Sequence, residues 1–256
     1  MGEKFPSVVL DERERFAMFF APNFSFFTFH LSLKISVMKK LFALPILTAV
    51  FAIAMTGCFK DHLNGSGSIV SENRTFTSIF KEIRIEGSMN VLVKQGDSIR
   101  VSVKDYSNII PYLETKIIGN ALVIRYDNNA WITNSAGEVT VTLPTLTGVE
   151  LTGSGNVGTI GNFNFTDLSL LISGSGNFSF AGTCKNMNAK VSGSGDIRAF
   201  DLPTEVANVR VSGSGNMQLN VSRTLDAAIS GSGDIIYKGN PSVTTSVTGS
   251  GRVRKF

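Results

Sequence analysis

Val209-Arg210-Val211-Ser212-Gly213-Ser214-Gly215-Asn216-Met217-Gln218-Leu219 carries apolar residues or glycine at every odd position and polar residues at every even one. A period of 2 sends one set of side chains inward and the other outward, which is the signature of a strand. The tripeptide at its centre recurs at Gly153, Gly174, Gly193, Gly213, Gly231 and Gly249, at spacings of 21, 19, 20, 18 and 18 residues. The residue after each copy is Asn156, Asn177, Asp196, Asn216, Asp234 and finally Arg252. The same parity holds for Leu170, Ile172, Phe178 and Phe180, for Val191, Ile197 and Ala199, and for Ile229, Ile235 and Tyr237.

A repeat of this length is too short for a propeller blade or a helical pair. It matches one turn of a solenoid whose strands stack at about 4.8 Å on their equivalents in the next turn. The expected fold is therefore all-β: a right-handed parallel β-helix with repeats of about 18–21 residues. The uneven spacing predicts that corners, not strands, absorb length variation. Glycine at the corners admits φ > 0 and close backbone approach, and Asn or Asp beside it suits a hydrogen-bonded ladder. Upstream, Ile83-Arg84-Ile85-Glu86-Gly87-Ser88-Met89-Asn90-Val91 repeats the pattern, followed by alternation at 99–103, 122–126 and 139–143. These predict roughly four irregular turns before the regular ones. At the far end, Arg252, Arg254 and Lys255 place charge on an open strand edge, where it opposes aggregation; contact with lipid or an anionic partner is the other reading.

The N-terminal region reads as an address. Met38-Lys39-Lys40 is a positive start, 41–55 an apolar run, and Thr56-Gly57-Cys58 a small-residue cleavage site. The run is short for a membrane span, which needs about 20 residues. The cysteine after small residues resembles the lipobox of bacterial lipoproteins, with Met55 where leucine is usual. That resemblance implies acylation of Cys58, which would become the mature N-terminus; the alternative is an ordinary signal peptide with a chance cysteine. Lys60-Asp61 resembles the surface-export signals of some Gram-negative lipoproteins. Residues 1–37 fit no pre-sequence and are expected to lie outside the native protein, with the start at Met38. The expected organisation is thus a lipoprotein signal peptide at 38–57 and a lipidated tether at 58–75. A β-helix domain follows at 76–256, irregular over 76–148 and regular over 149–256. The expected location is the cell envelope, as an outer-membrane lipoprotein facing the periplasm or the surface. The expected partners are the membrane through the N-terminal lipid, a glycan or surface partner, and a second copy in a homo-oligomer.

The repeated Gly-Ser-Gly-Asn/Asp turns, together with Ile-x-Ile-x-Gly-x-x-Asn-Val-x-Val-x-Gln-Gly-Asp at 83–97, resemble the "putative autotransporter adhesin, head GIN domain" family of Gram-negative lipoproteins. The literal Gly-Ile-Asn motif is absent; Gly87-Ser88-Met89-Asn90 stands nearest to it. The resemblance covers about residues 76–256 and implies a pectin-lyase-like β-helix with an adhesive role.

Composition narrows the chemistry. The chain has 24 Lys+Arg and 20 Asp+Glu, and after position 57 the counts are 18 and 16. A net of +2 spread along the chain is no footprint for nucleic acid. Only one histidine, His62, follows position 57, and it lies in the expected tether, so a Ser-His or Cys-His hydrolase is excluded. Cys184 has no disulfide partner once Cys58 is acylated; it reads as a small buried hydrophobe, with a reactive thiol as the alternative. Polysaccharide-cleaving β-helices use clustered aspartates, and Asp196 and Asp234 lie two turns apart, roughly 10 Å at the stacking repeat. Neither a metal nor another cofactor is expected, because calcium-binding β-rolls need a shorter, Asp-rich repeat.

What remains is surface. Parity projects Ser154, Ser175, Ser194, Ser214 and Ser232, and beside them Asn156, Asn177, Asp196, Asn216 and Asp234. Such a ladder offers many weak contacts to a glycan or another repetitive surface; small polar residues also simply suit a tight solvated face. The leading expectation is a non-catalytic, lipid-anchored β-solenoid for adhesion or envelope interaction. The alternatives are a polysaccharide lyase or glycoside hydrolase acting through Asp196 and Asp234, and a structural or oligomeric scaffold.

Overall fold

The computed structural model describes residues 61–256. The expectations for residues 1–57 and for acylation of Cys58 fall outside the described residues. In chain order the strands are β1 (Asp61–Asn64), β2 (Ile69–Arg74), β3 (Glu82–Gly87), β4 (Asn90–Gln95), β5 (Arg100–Tyr106), β6 (Leu113–Ile118), β7 (Ala121–Tyr126), β8 (Ala130–Thr133), β9 (Glu138–Leu143) and β10 (Gly148–Gly153). There follow β11 (Asn156–Ile160), β12 (Phe163–Gly174), β13 (Asn177–Ser179), β14 (Gly182–Gly193), β15 (Asp196–Gly213), β16 (Met217–Gly231), β17 (Ile235–Lys238), β18 (Ser242–Gly249) and β19 (Val253–Lys255).

The parallel β-helix expected from the repeat is present. On the first face, β7, β3, β10, β12, β14, β15, β16 and β18 stack in parallel, so that Gly87, Gly153, Gly174, Gly193, Gly213, Gly231 and Gly249 lie over one another. The second face stacks β9, β4, β11, β13, β15, β16, β17 and β19. A third face joins the early parts of β12 and β14 to the middle of β15 and β16, for example Cys184 to Thr204 and Thr204 to Val221. The odd-position residues fill the core in columns such as Ile85, Leu151, Ile172, Val191, Val211 and Ile229, all at most 2% exposed. Each fully buried aliphatic side chain contributes about 1.5–3 kcal/mol.

The corner geometry explains the tripeptide. The carbonyl of Gly193 accepts N–H bonds from both Ser214 (2.9 Å) and Gly215 (3.1 Å) of the next turn, and that of Gly213 does the same for Ser232 (2.8 Å) and Gly233 (3.2 Å). One oxygen serving two donors points straight at the layer above. A Cβ on Gly213 would sit 2.3 Å from the Gly193 oxygen, and its φ of +124° is one that side chains rarely adopt. Length variation is absorbed by bulges inside β15 and β16, not at corners as the repeat spacing predicts. The 20-residue turn at 193–213 exceeds the next by two residues, and the β15–β16 register slips only between Ala199 and Pro203 and between Thr204 and Val206.

The first half differs from the expected run of four sequential turns. β10 stacks on β3, not on β7 or β9. The layer made by β7 and β9 lies on the other side of β3 and β4, so chain order and stacking order are inverted there. Three antiparallel pairings then close this end: β6 on β7, β5 on β9 and β2 on β5. Alternation specifies an inside and an outside but not the partner or direction of a strand, so these stretches looked like further turns. The expected tether at 58–75 is also overturned from Asp61 onward. β1 pairs in parallel with β8, β2 pairs with β5, Gly65 N–H donates to Thr133 O (2.9 Å), and Ser66 N–H donates to Asn108 Oδ1 (2.8 Å). His62 therefore sits in a strand.

A buried carboxylate fastens this cap. Asp105 on β5 is fully buried and accepts bonds from Tyr126 Oη (2.6 Å), Ala136 N–H (2.8 Å) and Tyr106 N–H (2.8 Å). Burial, and then this carboxylate, raise the Tyr126 phenol well above its ordinary value, so it remains a donor. At the opposite end, all eight residues of β18 are exposed, including Val243 and Val247. The basic residues Arg252, Arg254 and Lys255 lie on or beside β19, so charge guards the second-face edge and leaves β18 uncharged.

Two outcomes follow. Gly87 and Gly213 share nearly the same φ, +122° and +124°, but a Cβ on Gly87 meets nothing within 4 Å. Gly213→Ala should therefore cost about 2 kcal/mol more than Gly87→Ala through forced separation of layers, a Tm difference of about 4–8 °C for a chain of this size by circular dichroism. Cys184 is buried, and burial followed by Asp167 pushes its thiol up to about 12. It should stay inert to a disulfide reagent at pH 8 and react fully once the chain is unfolded in urea.

Candidate functional site

The residue after each glycine corner opens or directly precedes a strand of the second face, so stacking brings the Asn/Asp set into one column. The structure joins them by hydrogen bonds. Asn156 Nδ2 donates to Asn90 Oδ1 (2.9 Å) and Asn177 Nδ2 to Asn156 Oδ1 (3.0 Å). Asp196 N–H donates to Asn177 Oδ1 (3.3 Å), and Asn216 gives both its N–H and its Nδ2 to Asp196 Oδ1 (3.0 Å each). Asp234 N–H donates to Asn216 Oδ1 (3.0 Å), and Arg252 N–H to Asp234 Oδ1 (2.9 Å). Asn90 therefore heads the ladder, one layer before the first regular corner; its signal was the Gly87-Ser88-Met89-Asn90 copy of the motif.

The ladder consumes part of what it displays. Each amide has two donors and an oxygen with two lone pairs, so one donor and one lone pair remain for an external partner on each of Asn156, Asn177 and Asn216, whereas the aspartate rungs offer acceptors only. Asn156 and Asn216 are exposed, whereas Asn177, Asp196 and Asp234 are half-buried. Ser154, Ser175, Ser194, Ser214 and Ser232 are all exposed and form a second column at the corner. Both predicted columns thus exist, side by side.

Asp196 and Asp234 are not an isolated pair. Asn216 stands between them and bonds to both, and Asp196 Oδ2 also accepts from Arg198 Nη2 (3.3 Å). The ladder occupies one oxygen of each carboxylate.

Two positions further along each strand, the period of 2 returns the chain to the same outward face. There Arg198, Gln218, Ile236 and Arg254 form a third row in register, polar except at Ile236. Between this row and Asp196, Asn216 and Asp234 runs a groove of about 300 Å³. Guanidinium groups line one side and carboxylates the other, a surface suited to polyhydroxylated or acidic ligands by bidentate hydrogen bonding. Sequence reading missed Arg198 and Gln218, because it followed the glycine motif and stopped one residue after it, although the parity rule pointed to them; Arg254 it placed on the open strand edge, with an anionic partner as the other reading. Among the described residues no group of three or more His, Cys, Asp or Glu side chains is arranged to hold a metal. Among them, too, no helix is long and apolar enough to cross a membrane.

Comparisons with known proteins bear on the family and the fold. The family model described as "Putative auto-transporter adhesin, head GIN domain" matches residues 79–241. A "putative adhesin" from Bacteroides fragilis is 22% identical over 76% of this chain and 100% of that one, with a TM-score of 0.66; at that identity the likeness is one of fold. A "putative lipid binding protein" from Parabacteroides distasonis is 25% identical over 77% of this chain and 100% of its own, with a TM-score of 0.49. A "putative adhesin" from Parabacteroides merdae is 21% identical over 77% and 99%, with a TM-score of 0.45. No curated protein matches the chain.

The ladder predicts a pH signature. Asn216→Asp would place three carboxylates in successive rungs and remove the Nδ2 donor. Like charges raise the folded-state pKa of the group, so its penalty is small below the unfolded carboxylate pKa and grows as pH rises. The variant should lose about 2 kcal/mol relative to wild type at neutral pH, and clearly less near pH 4, in urea titrations at both values.

Proposed function

The chain belongs to the "Putative auto-transporter adhesin, head GIN domain" family, and from that premise we propose that it is a non-catalytic, lipid-anchored adhesive solenoid of the cell envelope. It binds a repetitive, polyhydroxylated surface, such as a glycan, through the second face. The observation that carries this reading is the register of three outward rows. The corner serines and the Asn/Asp ladder repeat at the strand spacing of about 4.8 Å, and Arg198, Gln218 and Arg254 stand in the next row, which Ile236 interrupts. A groove runs between the last two rows.

Such a surface grips by number. A single hydroxyl–amide contact contributes about 1 kcal/mol net, but successive turns offer the same contact again, so one extended ligand engages several rungs at high effective concentration. Use of both aspartates by the ladder favours binding over hydrolysis. Inverting glycosidases need a general acid with raised pKa and a separate base flanking a free water site. Here Asn216 fills the space between the two carboxylates.

A glycan array probed with the purified mature protein tests the reading. Binding to one glycan class is expected, and Arg198→Ala with Arg254→Ala, or Ser194→Glu with Ser214→Glu, should weaken it about tenfold or more. No binding by wild type, or binding unchanged by both pairs of substitutions, would overturn the proposal.

A further inference from the structure

The cap carries an exposed indole where the anchor must lie. β1 begins at Asp61, three residues after Cys58, and three residue steps span at most about 11 Å. β8 lies in parallel register on β1, with Trp131 opposite His62 and the two rings 6.5 Å apart. Trp131 is 62% exposed and Ile69, at the start of β2, is 51% exposed. An indole with one polar edge belongs at the headgroup level of a bilayer.

The platform under Trp131 is built, not loose. Thr133 O accepts from Gly65 N–H (2.9 Å) and Asn134 Nδ2 donates to Gly65 O (3.3 Å). Asp127 N–H donates to Tyr112 O (2.8 Å) at one end of the loop, and Asp105 holds Ala136 at the other. The indole is thus held in place by the cap and not by its own packing.

We propose that Trp131 and the β1–β8 ribbon form a second contact with the bilayer, inserting into the headgroup region beside the acylated Cys58 and fixing the cap end of the solenoid against the membrane. This rests on the lipid-anchor reading above. With an 11 Å limit on the covalent leash, the acyl chains cannot enter the bilayer unless the ribbon comes within reach of the headgroups. The groove of the second face is lined by β15, β16, β17 and β19, the layers farthest from the cap. The eight stacked strands of that face put β19 about 34 Å from β9, so docking by the cap leaves the groove facing outward.

Trp131 is the chain's one tryptophan, so its fluorescence reports this contact alone. The mature protein is isolated from membranes and reconstituted into phosphatidylcholine–phosphatidylglycerol vesicles, with or without acyl chains brominated near the headgroup. Mass spectrometry of the N-terminal peptide is run on the same sample. The expected result is a blue-shifted Trp131 emission that bromination quenches. A double variant, Trp131→Phe with Phe256→Trp, moves the fluorophore to the exposed C-terminal residue and should give emission that bromination leaves unchanged. An acylated peptide with unquenched Trp131, or equal quenching in the double variant, overturns this inference and leaves the anchor standing. A peptide without acyl mass removes the anchor reading and this inference with it.

Discussion

One backbone oxygen per turn governs this molecule. At the corners from Gly153 to Gly231 a glycine carbonyl turns along the solenoid axis and captures two N–H groups from the layer above, as Gly193 does for Ser214 and Gly215. The geometry brings main chain onto main chain with no room for a Cβ at either glycine of the tripeptide. Once it repeats, the strands on either side are forced into register, because a slip by one residue would put a side chain where only hydrogen fits and turn every core residue outward. The core columns, the ladder and the outward rows all inherit their alignment from that contact.

The ladder is a consequence of that alignment. The residue after each corner lies over its equivalent, so amides and carboxylates fall within bonding distance and link the turns along the face. The same alignment leaves half of each amide's capacity pointing at solvent, next to a column of exposed serines. Short polar side chains suit that position because each rung can bond to the one before and the one after it.

The two ends are finished differently. At the first, antiparallel strands and the buried Asp105 close the stack and hold the ribbon carrying Trp131. At the other, β18 ends the first face with no charged residue and β19 ends the second with Arg254 and Lys255. A molecule so built has a direction, with its cap at one end and its groove in the layers nearest the other.

The residues from Gly153 onward determined the solenoid by themselves. Period 2, a repeat near twenty residues and glycine at fixed places admit few other folds, and parity alone put Ser154, Ser214, Asn156 and Asn216 on the outside. It also held Arg198 and Gln218, unread because attention stayed on the tripeptide. Tertiary structure alone decided the rest. Alternation over 99–143 names no partner, so only the fold shows β10 returning to β3 and β5, β6 and β2 running antiparallel. Likewise Gly65-Ser66-Gly67 reads as a loose linker until β8 and Asn108 supply its hydrogen bonds. The reason is the range of the forces. A repeat whose neighbour is always one turn away writes its contacts into its own spacing, whereas a cap made by segments at uneven separations, from about 27 to 69 residues, leaves no such mark.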